Sequence, residues 1–401
     1  MKWEKVRLED CCYSISDGDH QPPPKAQQGI PFVTISNINS MNQLDFSDTM
    51  FVPKEYYQSL DEKRKVRKGD VLYSVVGSFG IPVLIKEERP FVFQRHIAIL
   101  RPKEDIVDSG FLFYTMLNRD FYAKADAVAI GAAQRTVSLG SLRNIKIDVP
   151  SLESQKHIAD ILSAYDDLIE NNQKQIKLLE EAAQRLYKEW FVDLRFPGHE
   201  NTKIVDGVPE GWSVYPFSSK VDIMSGGTPK TSIPDYYNGK IPFYTPKDSD
   251  GAFFAYKTQM NITEGGLKNC NSRLYPPKTV IITARGTVGK TTILAVPMAM
   301  NQSCYALKMK ENDAPYYLFF ALNNEIKALQ TMANGGVFNT IIGKTFDSIN
   351  IQIPKDPLIY GFEETVRPFM EQIKNKLQAN SKLVEARDRL LPKLMSGEVK
   401  V

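Results

Sequence analysis

The chain repeats itself, and this constrains its fold more than any other feature of its 401 residues. IPFVT at 30–34 recurs as IPFYT at 241–245, and IKIDVP ending at Pro150 recurs as INIQIP ending at Pro354. Because such matches keep their order along the chain, common turn chemistry reused in unrelated domains explains them poorly. The sequence therefore predicts two tandem units of one fold, which suits a partner with pseudo-twofold symmetry such as duplex DNA.

Each repeat divides into a globular part and a helical segment. Short β-branched runs bounded by Gly, Pro and Asp predict strands, and longer apolar runs such as PYYLFFALNNEIKALQ predict helices. The expected fold class is therefore α/β (mixed α+β) in each globular part, with two long antiparallel coiled-coil helices separating the copies. The predicted segments are a globular domain at 1–150, a central helix at 151–198, a second globular domain at 199–354 and a C-terminal helix at 355–401.

Both helical segments carry a heptad pattern. Residues 152–191 contain neither Pro nor Gly, and their apolar positions are four and three residues apart in turn, which is typical of a coiled-coil seam. Asn172 is the one polar residue of the first seam, Asn380 is among the residues that interrupt the second, and Pro368 is expected to delay or kink the second helix. The residues predicted to pair the helices are Ile158, Leu162, Ile169, Ile176, Leu179, Leu186, Val366, Phe369, Ile373, Leu383 and Leu390.

The two seams most simply pair with each other inside the chain. Pairing of each helix with a different protein, or dimerisation of the chain through its helices, is the alternative. The segment 151–198 carries six basic and nine acidic residues, a net charge of −3, which suits a protein partner better than a phosphate backbone.

Composition excludes several classes of protein. An apolar fraction of 42% and a charged fraction of 24% are typical of a globular chain with sizeable cores, which excludes disorder. No apolar run approaches the roughly 18 residues of a membrane span, and the N-terminus is too charged for a signal peptide. The four cysteines form no C-x-x-C pair, so neither a zinc site nor a disulfide framework is expected. We therefore expect a cytoplasmic protein with no membrane partner.

The sequence predicts no catalytic residue, no metal site and no cofactor in this chain. The four histidines lack the spacing of metal ligands. No nucleophile elbow, zinc-protease helix or dinucleotide fingerprint is present, and neither is the tetrapeptide that amino-methyltransferases place beside the target base. Absence across all these classes favours a binding protein.

One segment resembles a nucleotide-binding loop. ARGTVGKT at 284–291 follows the strand-like TVII and fits a relaxed phosphate-loop pattern with Ala in place of the first Gly. A P-loop NTPase needs a helix after this loop, whereas the residues after Lys290 are β-branched and broken by Pro297, which predicts a strand. A turn between two strands is therefore the favoured interpretation, with Arg285 and Lys290 available for a polyanion.

Loop residues that can pair with base edges or phosphates recur at matching places of both repeats. The net charge of +3, from 50 basic and 47 acidic residues, does not by itself indicate nucleic acid. A Gly turn with a solvated Lys or Arg also needs no ligand, so the repetition supports the loops more than any single residue. The candidate DNA contacts are Ser78, Gln94, Arg95, His96, Gln134, Arg135, Thr228, Lys230, Arg285, Thr287, Lys290, Asn301, Gln302 and Asn339.

The first long helix and both ends of the second repeat resemble one protein family. Pro150 and Gln155 precede an Ile-rich helix, the second repeat opens with GVPEGWSVYPFSS, and the chain ends with ARDRLLPKLMSGEVKV. These features, with the RGTVG motif and the duplication, resemble the specificity subunits of type I restriction-modification enzymes. Two departures stand out: the first domain opens without a VPEGW motif, and the start of the second helix has no equivalent of Gln155.

The resemblance implies a concrete function. Two target recognition domains would each bind one half of a bipartite, asymmetric double-stranded DNA site, and the helices would set the gap between the halves. Two methyltransferase subunits that use S-adenosylmethionine would dock on the chain and methylate adenine, and restriction subunits that use ATP and Mg would join them. The chain itself would catalyse nothing. A scaffold that pairs proteins through its helices without touching DNA is the other interpretation of the same sequence.

Overall fold

A computed structural model describes residues 3–18, 22–39, 41–132, 134–332 and 340–401, with the backbone alone for 327–332. The chain forms two compact units, one of Met1–Ile169 with Lys382–Val401 and one of Glu170–Ser381. The units do not coincide with the four predicted segments, because each long helix contributes to both.

The first unit is built on a four-stranded antiparallel sheet. The strands are β1 (Glu4–Arg7), β2 (Cys12–Asp17), β3 (Ile30–Val33), β4 (Met50–Val52), β5 (Val71–Ser74), β6 (Pro82–Leu84), β7 (Val92–Phe93), β8 (Ile97–Pro102) and β9 (Lys146–Val149), and the helices are α1 (Leu8–Cys11), α2 (Lys54–Ser59), α3 (Ser109–Leu117), α4 (Arg119–Ala127), α5 (Leu139–Asn144) and the first half of α6 (Leu152–Tyr187). The main sheet has the order β2-β8-β5-β6, a second sheet has the order β4-β3-β7, and β1 pairs with β9.

The second unit has the same plan. Its strands are β10 (Ile204–Val205), β11 (Val208–Pro209), β12 (Ser213–Pro216), β13 (Val221–Ser225), β14 (Tyr237–Tyr244), β15 (Phe254–Ala255), β16 (Asn261–Ile262), β17 (Val280–Thr283), β18 (Thr291–Leu294), β19 (Ala299–Met300), β20 (Cys304–Met309) and β21 (Asn350–Ile353), and its helices are α7 (Phe217–Lys220), α8 (Glu264–Lys268), α9 (Pro315–Met332), α10 (Gly343–Asp347) and most of α11 (Asp356–Met395). The orders β13-β20-β17-β18-β15, β16-β14-β19 and β12-β21 reproduce those of the first unit, with β15 added by a parallel pairing.

The duplicated topology confirms the predicted fold class of two tandem mixed α+β domains with long helices. In both units the second sheet combines one antiparallel and one parallel pairing around its central strand. None of the helices among the described residues is long and apolar enough to cross a membrane.

Within each unit, the segments of α6 and α11 run antiparallel. In the first unit Ile158 and Leu162 share a core with Leu391 and Leu394. In the second, Asn172 bonds to Asn380 whereas Tyr187, further along α6, packs against Phe362, which lies earlier in α11. These contacts place part of the predicted seam in the interior of each unit.

The buried stripe of α11 differs in phase from the predicted seam. Ile158, Leu162, Ile169, Ile176, Val366 and Ile373 are buried, and Leu179, Leu186, Phe369, Leu383 and Leu390 are half-buried. Met370 and Leu391 are more buried than Phe369 and Leu390, because α11 packs against the globular core as well as against α6. The helix begins at Asp356, well before Pro368, so the expected delay at this proline does not occur.

The start of α9 shows what replaces Gln155 in the second copy. In the first unit the Gln155 side chain accepts a hydrogen bond from the Asp108 amide (2.8 Å) and donates to the carbonyls of Ile106 and Pro150. In the second unit the buried Glu363 carboxylate of α11 accepts the Tyr317 amide at 2.8 Å. The second helix therefore does have a side chain that binds the neighbouring helix start, but at a different position along the sequence.

Candidate nucleic-acid interface

The turn between β5 and β6 is held by one buried hydroxyl group. Ser74 Oγ donates to the Ser78 carbonyl (2.9 Å) and accepts a hydrogen bond from the Ile81 amide (2.9 Å). Gly77 and Gly80 have positive φ angles of 70° and 97°, which other residues rarely adopt. The exposed Ser78 therefore stands at the tip of a fixed turn.

The turn between β17 and β18 repeats this arrangement in the second unit. Thr283 Oγ1 donates to the Thr287 carbonyl and accepts a hydrogen bond from the Lys290 amide (3.0 Å). Gly286 and Gly289 again have positive φ angles, 81° and 80°. The turn presents the exposed side chains of Arg285, Thr287 and Lys290.

This geometry excludes the P-loop interpretation. The segment 284–290 connects two antiparallel strands, and Thr291 opens β18 rather than a helix. A nucleotide-hydrolysing loop requires the N-terminus of the following helix to bind phosphates, whereas here the residues that follow the loop form a strand. The segment is therefore not a P-loop, and the predicted turn between strands is confirmed.

A second loop lies beside each turn. The Val75 amide donates to the His96 carbonyl (2.8 Å), and the equivalent Ala284 amide donates to the Ser303 carbonyl (2.7 Å). Arg95 and Gln302 are exposed in the middle of these loops. These two bonds bring five predicted contacts next to the turns: Gln94, Arg95 and His96 in the first unit, and Asn301 and Gln302 in the second.

His96 is positioned to act as a neutral hydrogen-bonding group. Partial burial and the neighbouring charge of Arg95 hold the pKa of its imidazole below the usual value. A neutral imidazole has one donor and one acceptor nitrogen, so it can pair with base edges as well as with phosphates.

A third loop completes the first cluster. The Gly77 amide donates to the Arg135 carbonyl at 3.0 Å, which brings the exposed Gln134 and Arg135 to the turn. The Arg135 guanidinium itself bonds to Asp126, to the carboxylate at 3.1 Å and to the carbonyl at 2.6 Å. In the second unit the Ile341 amide donates to the Ala284 carbonyl (2.9 Å), while the predicted contact Asn339 lies outside the described residues.

The residues that follow β2 and β13, equivalent strands of the two main sheets, pack tightly against the second loop of their own unit. A Cβ atom on Gly18 would lie 2.2 Å from the Phe93 carbonyl oxygen, and one on Gly226 would lie 2.2 Å from that of Asn301. These close approaches show that Gly18 and Gly226 are equivalent residues of the two units. Beyond Gly226, the Thr228 hydroxyl donates to Gln302, and Lys230 is exposed.

Sequence reasoning did not single out two further loops that lie close to the equivalent strands and turns of the two units. Thr287 Oγ1 donates to the Pro246 carbonyl (3.2 Å), which brings the exposed Lys247 beside the turn of the second unit. Ser16 Oγ donates to the Lys63 carbonyl (2.6 Å) at the end of β2 in the first. The repeated motif IPFYT at 241–245 leads directly into the loop of Lys247, and this was the available signal for that residue.

The two clusters differ in charge. Among the described residues, Lys230, Arg285 and Lys290 of the second cluster have no carboxylate within ion-pair distance, and the same holds for Arg95 of the first. Arg135 is neutralised by Asp126. The second cluster therefore presents more unpaired positive charge than the first.

Comparison with known proteins decides the family. The family model described as the type I restriction modification DNA specificity domain matches residues 1–181 and 209–378. The chain belongs to this family.

Relatives of the DNA specificity family match nearly the whole chain. The HindI specificity subunit of Haemophilus influenzae is 25% identical over 99% of both chains, and the MjaIX specificity subunit of Methanocaldococcus jannaschii is 27% identical over 83% of this chain and 78% of its own. The solved S subunit of a type I restriction-modification system from M. genitalium shares the fold, with a TM-score of 0.62, 17% identity and coverage of 98% of this chain and 96% of its own. The predicted family is confirmed, and each match of the family model covers one copy of the loop cluster.

Proposed function

We propose that this chain is the non-catalytic subunit that selects the DNA sequence for a type I restriction-modification complex. Each loop cluster reads one half of a bipartite, asymmetric site in double-stranded DNA. The observation that carries the proposal is the duplicated cluster, in which Ser74 and Thr283 hold equivalent turns beside equivalent loops. Two copies of one reading surface suit two half-sites on a duplex.

The loops carry side chains suited to both kinds of contact. Exposed amides such as Gln134 and Gln302 can bond to base edges, and the unpaired cations Arg95, Arg285 and Lys290 can bond to guanine or to phosphates. Base contacts would set the half-site sequences, whereas phosphate contacts would fix the register of the protein on the duplex.

The long helices set the gap between the half-sites and dock the catalytic subunits. The acidic character of segment 151–198 supports protein docking over DNA contact along most of this helix. In this account two methyltransferase subunits bring S-adenosylmethionine and methylate adenine, restriction subunits bring ATP and Mg, and the assembly works in the cytoplasm.

Methylation mapping tests the proposal. The chain is co-expressed with a type I methyltransferase subunit from the same genome, and methylated adenines are located by single-molecule sequencing. We expect a split motif with a fixed unspecific gap, lost when this chain is omitted. A stable complex that methylates nothing, and whose binding to duplexes is independent of sequence and salt, would instead indicate a protein scaffold.

A further inference from the structure

A cavity of about 740 Å³ lies in the second unit, beside the turn that presents the candidate DNA contacts. Its walls come from the C-terminal half of α6, from the end of the turn 284–290 and from α9. Arg185 of α6, Lys188 directly after α6 and Lys290 of the turn line it, together with Glu181, the one acidic residue among the described wall residues. Three cations on one cavity favour an anionic occupant.

The charges in the cavity are not equivalent. Lys188 Nζ lies 2.6 Å from the Asp193 carboxylate, so its charge is largely neutralised. Neither Arg185 nor Lys290 has a carboxylate within ion-pair distance among the described residues, and both side chains are exposed. Arg185 and Lys290 are therefore the wall cations free to bind a ligand.

The first unit has aromatic rings beside its equivalent turn. There the ring of Phe79 stacks on Tyr122, with ring centres 5.3 Å apart and planes within 1°. A Cβ atom on Gly80 would lie 2.5 Å from the Tyr122 ring, and the position of Lys290 is occupied by Ile81. The turn of the first unit therefore carries an apolar side chain where the turn of the second unit carries the Lys290 cation.

We propose that this cavity holds the phosphodiester backbone of the DNA duplex next to the half-site read by the second unit, with Arg185 and Lys290 each bonding to a phosphate. This inference rests on the proposed function, because the occupant is the DNA that the neighbouring turn reads. DNA is chosen as the occupant because the cavity is continuous with the turn that presents the candidate DNA contacts. Lys290 lines the cavity and ends the same turn whose tip exposes Arg285 and Thr287. A helix assigned to spacing and docking thus also contributes a positioning residue for DNA.

The test measures binding of the full chain to a fluorescein-labelled duplex of fixed sequence across a KCl series. The slope of log affinity against log salt is negative, and each lost phosphate contact reduces its absolute value by about 0.9. The double variant Arg185→Gln with Lys290→Gln is therefore expected to reduce the absolute slope by about 2. Lys188→Gln, in the same cavity but paired with Asp193, is the matched control and is expected to change the slope much less. Arg389→Gln in the first unit, where Arg389 pairs with Glu385 at 2.7 Å, is a second control.

The outcomes separate this inference from the proposed function. A wild-type chain that binds no duplex overturns both. A wild-type chain with a steep salt slope that the double variant retains overturns the cavity assignment alone. The charge-conserving variant Arg185→Lys with Lys290→Arg is expected to keep the wild-type slope. A loss of binding in that variant equal to the loss in the Gln variant would show a packing effect and would also overturn the assignment.

Discussion

Asn172 Nδ2 donates a hydrogen bond of 2.8 Å to Asn380 Oδ1, joining the one polar residue of the first helical seam to a residue that interrupts the second. Asn380 is only 8% exposed, so this amide pair lies inside the packed interface. A polar pair among apolar neighbours fixes the register of two helices, because any shift breaks the bond between the two amides.

We expect Asn172→Leu to destabilise the second unit by about 1–3 kcal/mol, because the Asn380 amide loses its bond to Asn172 inside the interface. Thermal unfolding followed by circular dichroism measures the change. The double variant with Asn380→Leu is expected to recover most of the loss. A double variant less stable than the single one would contradict this explanation of the pair.

Burial raises the pKa of Glu363 from 4.5 to about 7. Because the folded state holds this proton more tightly than the unfolded state, the resulting stability is full below about pH 4.5 and is lost as pH rises through 7. We expect Glu363→Gln, which keeps an acceptor for the Tyr317 amide, to make this fall smaller, while Glu180, whose pKa burial also raises to about 7, still titrates. Melting temperatures of wild type and variant at pH 5 and pH 8 test the difference.

Glu364→Gln, on the exposed face of the same helix, is the matched control and should follow the wild type. Equal falls in melting temperature for wild type and Glu363→Gln between the two pH values would show that Glu363 does not contribute to the fall.

The turn hydroxyls are expected to be necessary for reading DNA. Thr283→Ala leaves the Lys290 amide and the Thr287 carbonyl without their buried partner, at a cost of about 1–3 kcal/mol. We expect this variant to lose methylation of the cognate site, whereas Thr283→Ser, which keeps the hydroxyl, retains it. Retained methylation in the Ala variant would show that the turn does not position DNA contacts.

Substitution in one cluster is expected to change one half-site alone. Arg95→Ala removes an unpaired cation of the first cluster, and loss of a bidentate base contact reduces discrimination by about 1–3 kcal/mol. Arg135→Ala, whose guanidinium is already bonded to Asp126, is the control with a smaller expected effect. Methylation mapping should show one half of the motif relaxed and the other intact, and relaxation of both halves would contradict separate reading.

Sequence patterns within a few residues were enough to predict the strands and the turns between them. The β-branched residues after Lys290 identified a strand, and the matched Gly turns identified Ser78 and Thr287 as turn residues, because strand propensity and positive φ angles are encoded within a few residues. The duplication then extended these assignments to both units. The charge and repetition of the loops likewise led to the candidate contacts.

The rest depends on contacts between distant segments. Lys247 reaches the cluster through the bond from Thr287 to Pro246, and Glu363 binds the start of α9 from another helix. The buried stripe of α11 shifts to Met370 because that helix packs on a globular core as well as on α6. No spacing rule within one segment encodes such contacts, so the sequence alone missed them.

The central claim is that two clusters read two half-sites whose gap is set by the long helices. The most direct measurement inserts one heptad into α6 near Asn172 and one into α11 near Asn380, so that the seam stays paired, and maps methylated adenines. Seven residues add about 10.5 Å of helix, or about three base pairs. The account predicts unchanged half-sites and a gap longer by about three base pairs; an unchanged gap with altered half-sites would contradict it.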